Sequence, residues 1–215
     1  MSGNTRKRPV IRPGVVLLAV GVVVVIAAGF STKVLSIEEA TAAATEGSFD
    51  PVTYAEERFS SEIAPQVEDE AIDLTTLLTD LAGGADESEF GNSAGSSSAF
   101  SFPVTFTAVA GAPVGAILPV TVEGVPAETT VQVQIGPALN GTAIRDVTGT
   151  VNFNEFTNQL EFQQVATELN SQVRDTVLSE VDITALEGKT ITVTGAFTRV
   201  NPALVSVVPV SFEVN

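Results

Sequence analysis

Twenty consecutive residues without a charged side chain, Pro13 to Thr32, set the first limit on this chain. The run contains GVVLLAVGVVVVIAAGF and follows Arg6, Lys7, Arg8 and Arg12. At a rise of roughly 1.5 Å per residue, such a run in helical form reaches about 30 Å, the thickness of a bilayer's hydrocarbon core. The four cations hold the N-terminal end on the cytoplasmic side, so everything after Thr32 is expected outside. The competing reading is a cleaved secretory signal, whose apolar region is typically about 7–15 residues. Ala27-Ala28-Gly29 offers small residues for cleavage, but the length of the run favours a retained anchor. A buried soluble helix does not fit, because the run is apolar all round and flanked by cations.

Charge then separates two regions. All 26 acids lie from Glu38 onward, where only Lys33, Arg58, Arg145, Arg174, Lys189 and Arg199 oppose them, so residues 33–215 carry a net −20. The whole chain is −16. A surface of that sign repels phosphate, which excludes a nucleic-acid partner. The 215 residues include no His and no Cys. That removes Ser-His-Asp and Cys-His triads, disulfides, ordinary zinc sites and a lipid-bearing cysteine. No cofactor is implied.

The expected organisation is a basic cytoplasmic tail (1–12), a transmembrane anchor (13–32), a stalk and helical subdomain (33–85), a flexible linker (86–99) and a β-rich subdomain (100–215). Asp50-Pro51 is a helix start with Pro at the first position. Val67, Ala71, Leu74, Leu77, Leu78 and Leu81 step by three and four, predicting two helices or one bent helix, interrupted or restarted at Pro65 and stopped at Gly83-Gly84. Asp86 to Ser98, with GNSAGSSS, has the composition of a linker. Strands are predicted at 103–110, 116–122, 129–136, 189–200 and 204–214 from their β-branched, partly alternating residues. Between them Phe162, Val165, Leu169, Val173 and Val177 form one helical stripe. Five short strands with one intervening helix make an α+β chain with an OB-like barrel.

Three groups of residues invite a chemical reading. Glu68-Asp69-Glu70 with Asp73 is the densest acid run, but it fans around the solvent side of a helix instead of alternating in a calcium loop. With 26 acids, some pair at glycosidase spacing is inevitable, so a carboxylate-based hydrolase stays a minor alternative with no assignable catalytic residue. The stretch IGPALNGTAIRDVTGTVNFNEFTNQLEF (135–162) carries Arg145, Asp146, Asn154, Asn158 and Gln159 beside Phe153 and Phe156. Amides, an ion pair and aromatics are the lining of a small-sugar site, so Arg145, Asp146, Asn154, Asn158, Gln159 and Phe156 are its candidate binding residues. The alternative, favoured on the residues, is that Asn154 caps a turn, Arg145 bonds nearby carbonyls, and Phe153 and Phe156 are core.

IGPALNGTAIRD (135–146), VNFNEFTNQLEF (151–162), VATELN (165–170) and LEGKTITVTGAFT (186–198) resemble an uncharacterised bacterial family of predicted periplasmic lipoproteins. The likeness extends to TKVLSI (32–37), FDPVTYAEERFSSEIAPQ (49–66) and AIDLTTLL (71–78). It implies a helical subdomain packed with an OB-like barrel and no established activity or catalytic residues. It also implies a genomic setting beside sugar ABC transporters. Many members carry a lipid-acceptor cysteine just before the position of Thr32-Lys33, where this chain has Phe30-Ser31, so the helix is expected to replace the lipid. The expected function is an accessory or interaction module at the outer face of the membrane, docking on an ABC transporter permease or its solute-binding protein. Direct binding of a small sugar or polyol is the alternative.

Overall fold

Strand pairing closes the β-rich part on itself. The computed structural model describes residues 49–95 and 98–215, so the basic tail, the expected anchor at 13–32 and the stalk before Phe49 lie outside the described residues. Among the described residues no helix is long and apolar enough to cross a membrane.

The elements in chain order are α1 (Pro51–Arg58), α2 (Ala64–Glu70), β1 (Ile72–Asp73), α3 (Leu74–Ala82), β2 (Ser101–Ala110), β3 (Ile117–Val122), β4 (Thr130–Gln134), α4 (Ala143–Asp146), α5 (Gln159–Gln172), β5 (Thr190–Thr198) and β6 (Leu204–Val214). The sheet runs β1-β2-β3-β4-β6-β5, and β5 pairs back with β2. A five-stranded closed barrel results, with β1 added in parallel to the outside of β2. β2 is the hinge of the closure. Nine register pairs, Ser101↔Thr198 to Val109↔Thr190, join it to β5, and its last three residues join β3. β4 and β6 pair in parallel, which requires the long crossover that holds α4 and α5. Two helices, rather than the one expected, fill that crossover.

The barrel fills because one face of each strand is apolar. Leu118, Val131, Val133, Ile191, Val193, Val205 and Val207 are buried, with Phe102 and Phe197 stacked at 5.5 Å. Gly195 is required where β5 crosses β6. A Cβ there would run into the Val208 carbonyl and the Pro209 backbone, at the bulge between Thr194 and Gly195. The expected stripe on α5 is the face that covers the core: Phe162, Val165, Leu169 and Val173 are all buried.

The helical part refines one expectation and departs from another. At Pro65 the helix restarts, one of the two expected outcomes. It widens into a π-helical turn, Phe59–Ile63, just before it, and α2 begins with the proline in its first turn. A proline's missing N–H is harmless in a first turn. The predicted continuous stripe from Val67 to Leu81 is instead cut at Ala71, whose backbone turns extended. Ile72 and Asp73 then pair with Val104 and Thr105. Asp73 restarts the helix as its cap, accepting from Thr76 N at 2.9 Å and Thr76 Oγ1 at 3.1 Å. Ala55, Phe59, Ile63, Val67, Leu74 and Leu77 from these helices enter the same core as the barrel. Residues 49–215 therefore make one unit.

The stretch 86–99, expected as a flexible linker, is fastened over its first half. Asp86 caps a 3-10 turn, Glu87–Glu89. Glu87 pairs with Arg199, and Asn92 exchanges two backbone bonds with Ser101. Asn92 Nδ2 also donates to Val147 O at 2.7 Å. Composition pointed to a linker because Gly and Ser have no packing signature, while the contacts that hold the segment come from residues far away in sequence.

Candidate functional site

After β4 the chain must turn sharply. Gly136 takes a positive φ of 81°, which only glycine adopts cheaply. Gln134 braces the loop from inside: its Nε2 donates to Asn140 O at 3.1 Å and its Oε1 accepts from Asn140 N at 2.7 Å. The single turn α4 follows and carries Arg145 and Asp146 inward, only 5% and 7% exposed.

That pair satisfies itself. Arg145 Nε donates to Asp146 Oδ1 at 2.6 Å and its NH2 to Oδ2 at 3.1 Å, while NH1 donates to Phe162 O at 3.0 Å. Thr142 Oγ1 adds a third donor to the carboxylate at 2.6 Å. The guanidinium carbon lies 3.6 Å from the Phe162 ring centroid, a cation–π stack. Every strong partner of the pair comes from the protein.

Phe156 belongs to an aromatic cluster, with ring centroids 5.0 Å from Phe49, 5.5 Å from Tyr54 and 5.4 Å from Phe162. Phe153 lies edge-on to Phe162 but stays 43% exposed. Asn158 caps α5, accepting from Leu160 N at 2.9 Å and Glu161 N at 3.0 Å. Asn154 and Gln159 are exposed. The cap of the 3-10 turn Phe153–Glu155 is Asn152, two residues before Asn154, which lies within the turn. Arg145 and Phe156 thus meet at Phe162, with Asp146 paired to Arg145, while Asn154, Asn158 and Gln159 stay at the surface. The six candidates line none of the three cavities described below.

A polar cluster ties α1 to the same loop. Tyr54 Oη donates to Glu155 Oε2 at 3.0 Å, and Arg58 donates to Glu62 at 2.6 and 2.7 Å, to Glu155 at 3.3 Å and to the Tyr54 hydroxyl. Burial is the main cause that pushes the Tyr54 phenol up, to about 12, and the Arg58 cation opposes it. The Arg58 hydrogen bond holds the Glu62 carboxyl below its usual range.

The described surface includes three cavities with defined linings. An open groove of about 370 Å³ lies between Glu70, Ile72 and the 88–92 segment. Glu70 and Glu89 both border it and both are water-exposed. A cleft of about 230 Å³ lies inside the β3–β4 hairpin. The third, about 150 Å³, lies between the 137–139 turn and α5, bordered by Thr167, Asn170, Ser171 and Arg174. Sequence reasoning passed over those four. Their spacing of three, four and seven puts them on one helical face, a polar stripe beside the apolar one, and that signal could have singled them out. Glu68, Asp69, Glu70 and Asp73 are exposed. Among the described residues no group of three or more acids is placed to hold a metal ion.

Comparison with known proteins gives this geometry a context. A family profile described as predicted periplasmic lipoprotein (DUF2291) matches residues 20–213. The chain belongs to the DUF2291 family. As a DUF2291 protein it is a predicted periplasmic lipoprotein of unknown function, a description that points to a membrane-associated, extracytoplasmic location. No curated protein sequence matches it. Its fold is similar to the crystal structure of an OB-fold protein from Thermotoga maritima, with a TM-score of 0.61 at 19% identity over 78% of this chain and 99% of that one. The shared architecture is the closed barrel described above. The family description names a lipoprotein, yet this sequence contains no cysteine to carry the lipid.

Proposed function

We propose that this DUF2291 protein is a membrane-tethered interaction module, held outside the membrane by the helix at 13–32 in place of a lipid. The observation that carries the proposal is a charge-free stretch of chain with exposed valines on a strongly acidic domain. From Ser101 to Val122, through β2, its loop and β3, no residue is charged. Within that stretch Val109 is exposed and stands opposite Thr121, and Val114 is exposed at the connecting loop. In a domain where acids outnumber bases so heavily, an uncharged exposed strip is the surface that a protein partner covers at least desolvation cost. OB-type barrels commonly recruit a sheet face and its loops for binding.

The partner we propose is the extracytoplasmic surface of a carbohydrate ABC uptake system, either its permease or its solute-binding protein. Support for that class comes from the family resemblance and the outward address. A photo-crosslinking residue at Val109 or Val114, activated in intact cells, tests the docking. Recovery of a permease or solute-binding protein, with none from a crosslinker at Glu128 on the β3–β4 hairpin, is the expected result. Equal recovery from both positions, or self-crosslinks alone, would overturn it.

A further inference from the structure

The barrel leaves one strand edge open. Residues 204–207 of β6 pair with residues 130–133 of β4, and the chain then turns away at Gly136. From there to Val214, β6 keeps β5 on one side alone. The Asn215 N–H donates to Thr190 O at 2.9 Å. That bond sets the phase of the antiparallel ladder, in which alternate residues point their backbone groups at the neighbouring strand. Ser211 and Glu213 therefore turn N–H and C=O towards β5, and Phe212 and Val214 turn theirs away. No bond from any described residue reaches those outward groups. The π-helical turn Val173–Val177 packs against β6, and Val210 is 5% exposed. Val214 is 51% exposed and Glu213 is exposed, so the cover ends before the strand does. Unpaired backbone groups in a row are a template for one chemistry, the backbone of another strand.

The side chains say which strand would fit. Successive residues point to opposite faces. Phe212 and Val214 stand opposite Val193 and Ile191, both buried, and continue the inner face. Glu213 stands opposite Thr192 on the outer face. Its surroundings there are neutral: Thr192 and Thr107 hydroxyls lie 3.2 Å apart, and Asn215 Nδ2 donates to Thr192 Oγ1 at 3.0 Å. Glu213 is the one charged residue in the five barrel strands. Pairing in register with a second copy about residue 213, parallel or antiparallel, would set two Glu213 side chains beside each other. Like charges so placed destabilise a strand pair. A cation at that position would be favoured instead, and apolar residues on either side of it would rest against Phe212 and Val214.

We propose that the β6 edge at residues 212–214 takes up an extended segment of a protein partner, a Lys or Arg between two apolar residues, as an added strand. The proposal rests on the interaction-module reading above and supplies the kind of segment by which the partner attaches. Glu213 has two consequences here: it keeps the edge from pairing with its own kind and selects a basic segment.

The test is a ¹⁵N NMR titration of the full chain in non-ionic detergent micelles with two capped peptides, Thr-Val-Lys-Val-Thr and Thr-Val-Glu-Val-Thr. We expect saturable shifts of the Phe212 and Val214 backbone amides with the lysine peptide, and binding at least tenfold weaker with the glutamate peptide. Glu213→Lys should reverse that preference. Val214→Pro deletes an outward N–H without removing a bond to β5, so it should abolish binding while the remaining β5 and β6 amide signals stay in place. No saturable shift with either peptide, unchanged affinity in Val214→Pro, or a preference unmoved by Glu213→Lys would each overturn the proposal. Crosslinking from Val109 or Val114 without peptide binding would remove the added strand alone. Peptide binding without a crosslinked permease or solute-binding protein would remove the transporter partner alone.

Discussion

Replacing Asp146 separates a structural reading of the 135–162 stretch from a ligand-binding one. Its carboxylate accepts three hydrogen bonds inside the protein, two from Arg145 and one from Thr142. Asp146→Ala would leave the Arg145 guanidinium, 5% exposed, without its counter-charge. Removing one member of a buried pair typically costs about 3–5 kcal/mol. Arg145 retains the Phe162 carbonyl and the ring stack, so the lower half of that range, about 3–4 kcal/mol, is expected here. With a urea slope of about 2 kcal/mol per molar, the unfolding midpoint should fall by about 1.5–2 M. Tyr54 is the sole tyrosine and no tryptophan is present, so its fluorescence reports unfolding of this unit without interference. The double replacement Arg145→Met with Asp146→Leu should recover most of the loss, because buried ion pairs exchange for apolar residues at little cost. A midpoint shift under about 0.5 M for Asp146→Ala would match a water-screened surface pair and refute the burial argument.

Three further perturbations follow from the geometry. The Tyr54 phenolate absorbance should titrate at about 12 instead of 10.0. Because folding raises this pKa, its stabilising contribution is complete below pH 10 and is lost as pH rises towards 12, and titration near 10 would contradict the buried placement. Gly195→Ala should cost about 1–3 kcal/mol in urea unfolding through collision with the β6 backbone, and a neutral result would mean that β5 and β6 are not in this register. Asn158→Ala should cost about 1 kcal/mol in urea unfolding by removing the α5 cap, and an unchanged midpoint would mean that Asn158 does not cap this helix.

Where periodicity was clear, the sequence was a good guide. The five barrel strands fall within three residues of their predicted bounds, since alternating β-branched residues report directly which face is buried. The α5 stripe was legible for the same reason. Ala71–Asp73 was not, because Ile72 fits a helical stripe as well as a strand. Only pairing with Val104, more than thirty residues away, decides between them. The ordered start of the 86–99 stretch was hidden likewise, in the long-range partners of Glu87 and Asn92. Within 135–162 the favoured structural reading matches Arg145, which bonds the Phe162 carbonyl, and Phe156, which is core, but not Phe153, which stays 43% exposed, because residue type alone does not give direction.

The proposed topology places an acidic barrel domain outside the membrane that tethers it. The natural chain has no cysteine, so one introduced thiol is unique. Val200→Cys, at an exposed loop position, and Ser2→Cys, in the basic tail, can each be exposed to a membrane-impermeant maleimide in spheroplasts. We expect the thiol at position 200 to be labelled in intact spheroplasts, the thiol at position 2 to be labelled only after lysis, and both variants to stay with the membrane fraction. Labelling at position 2 before lysis, protection at position 200, or release of the protein into the soluble fraction would contradict it.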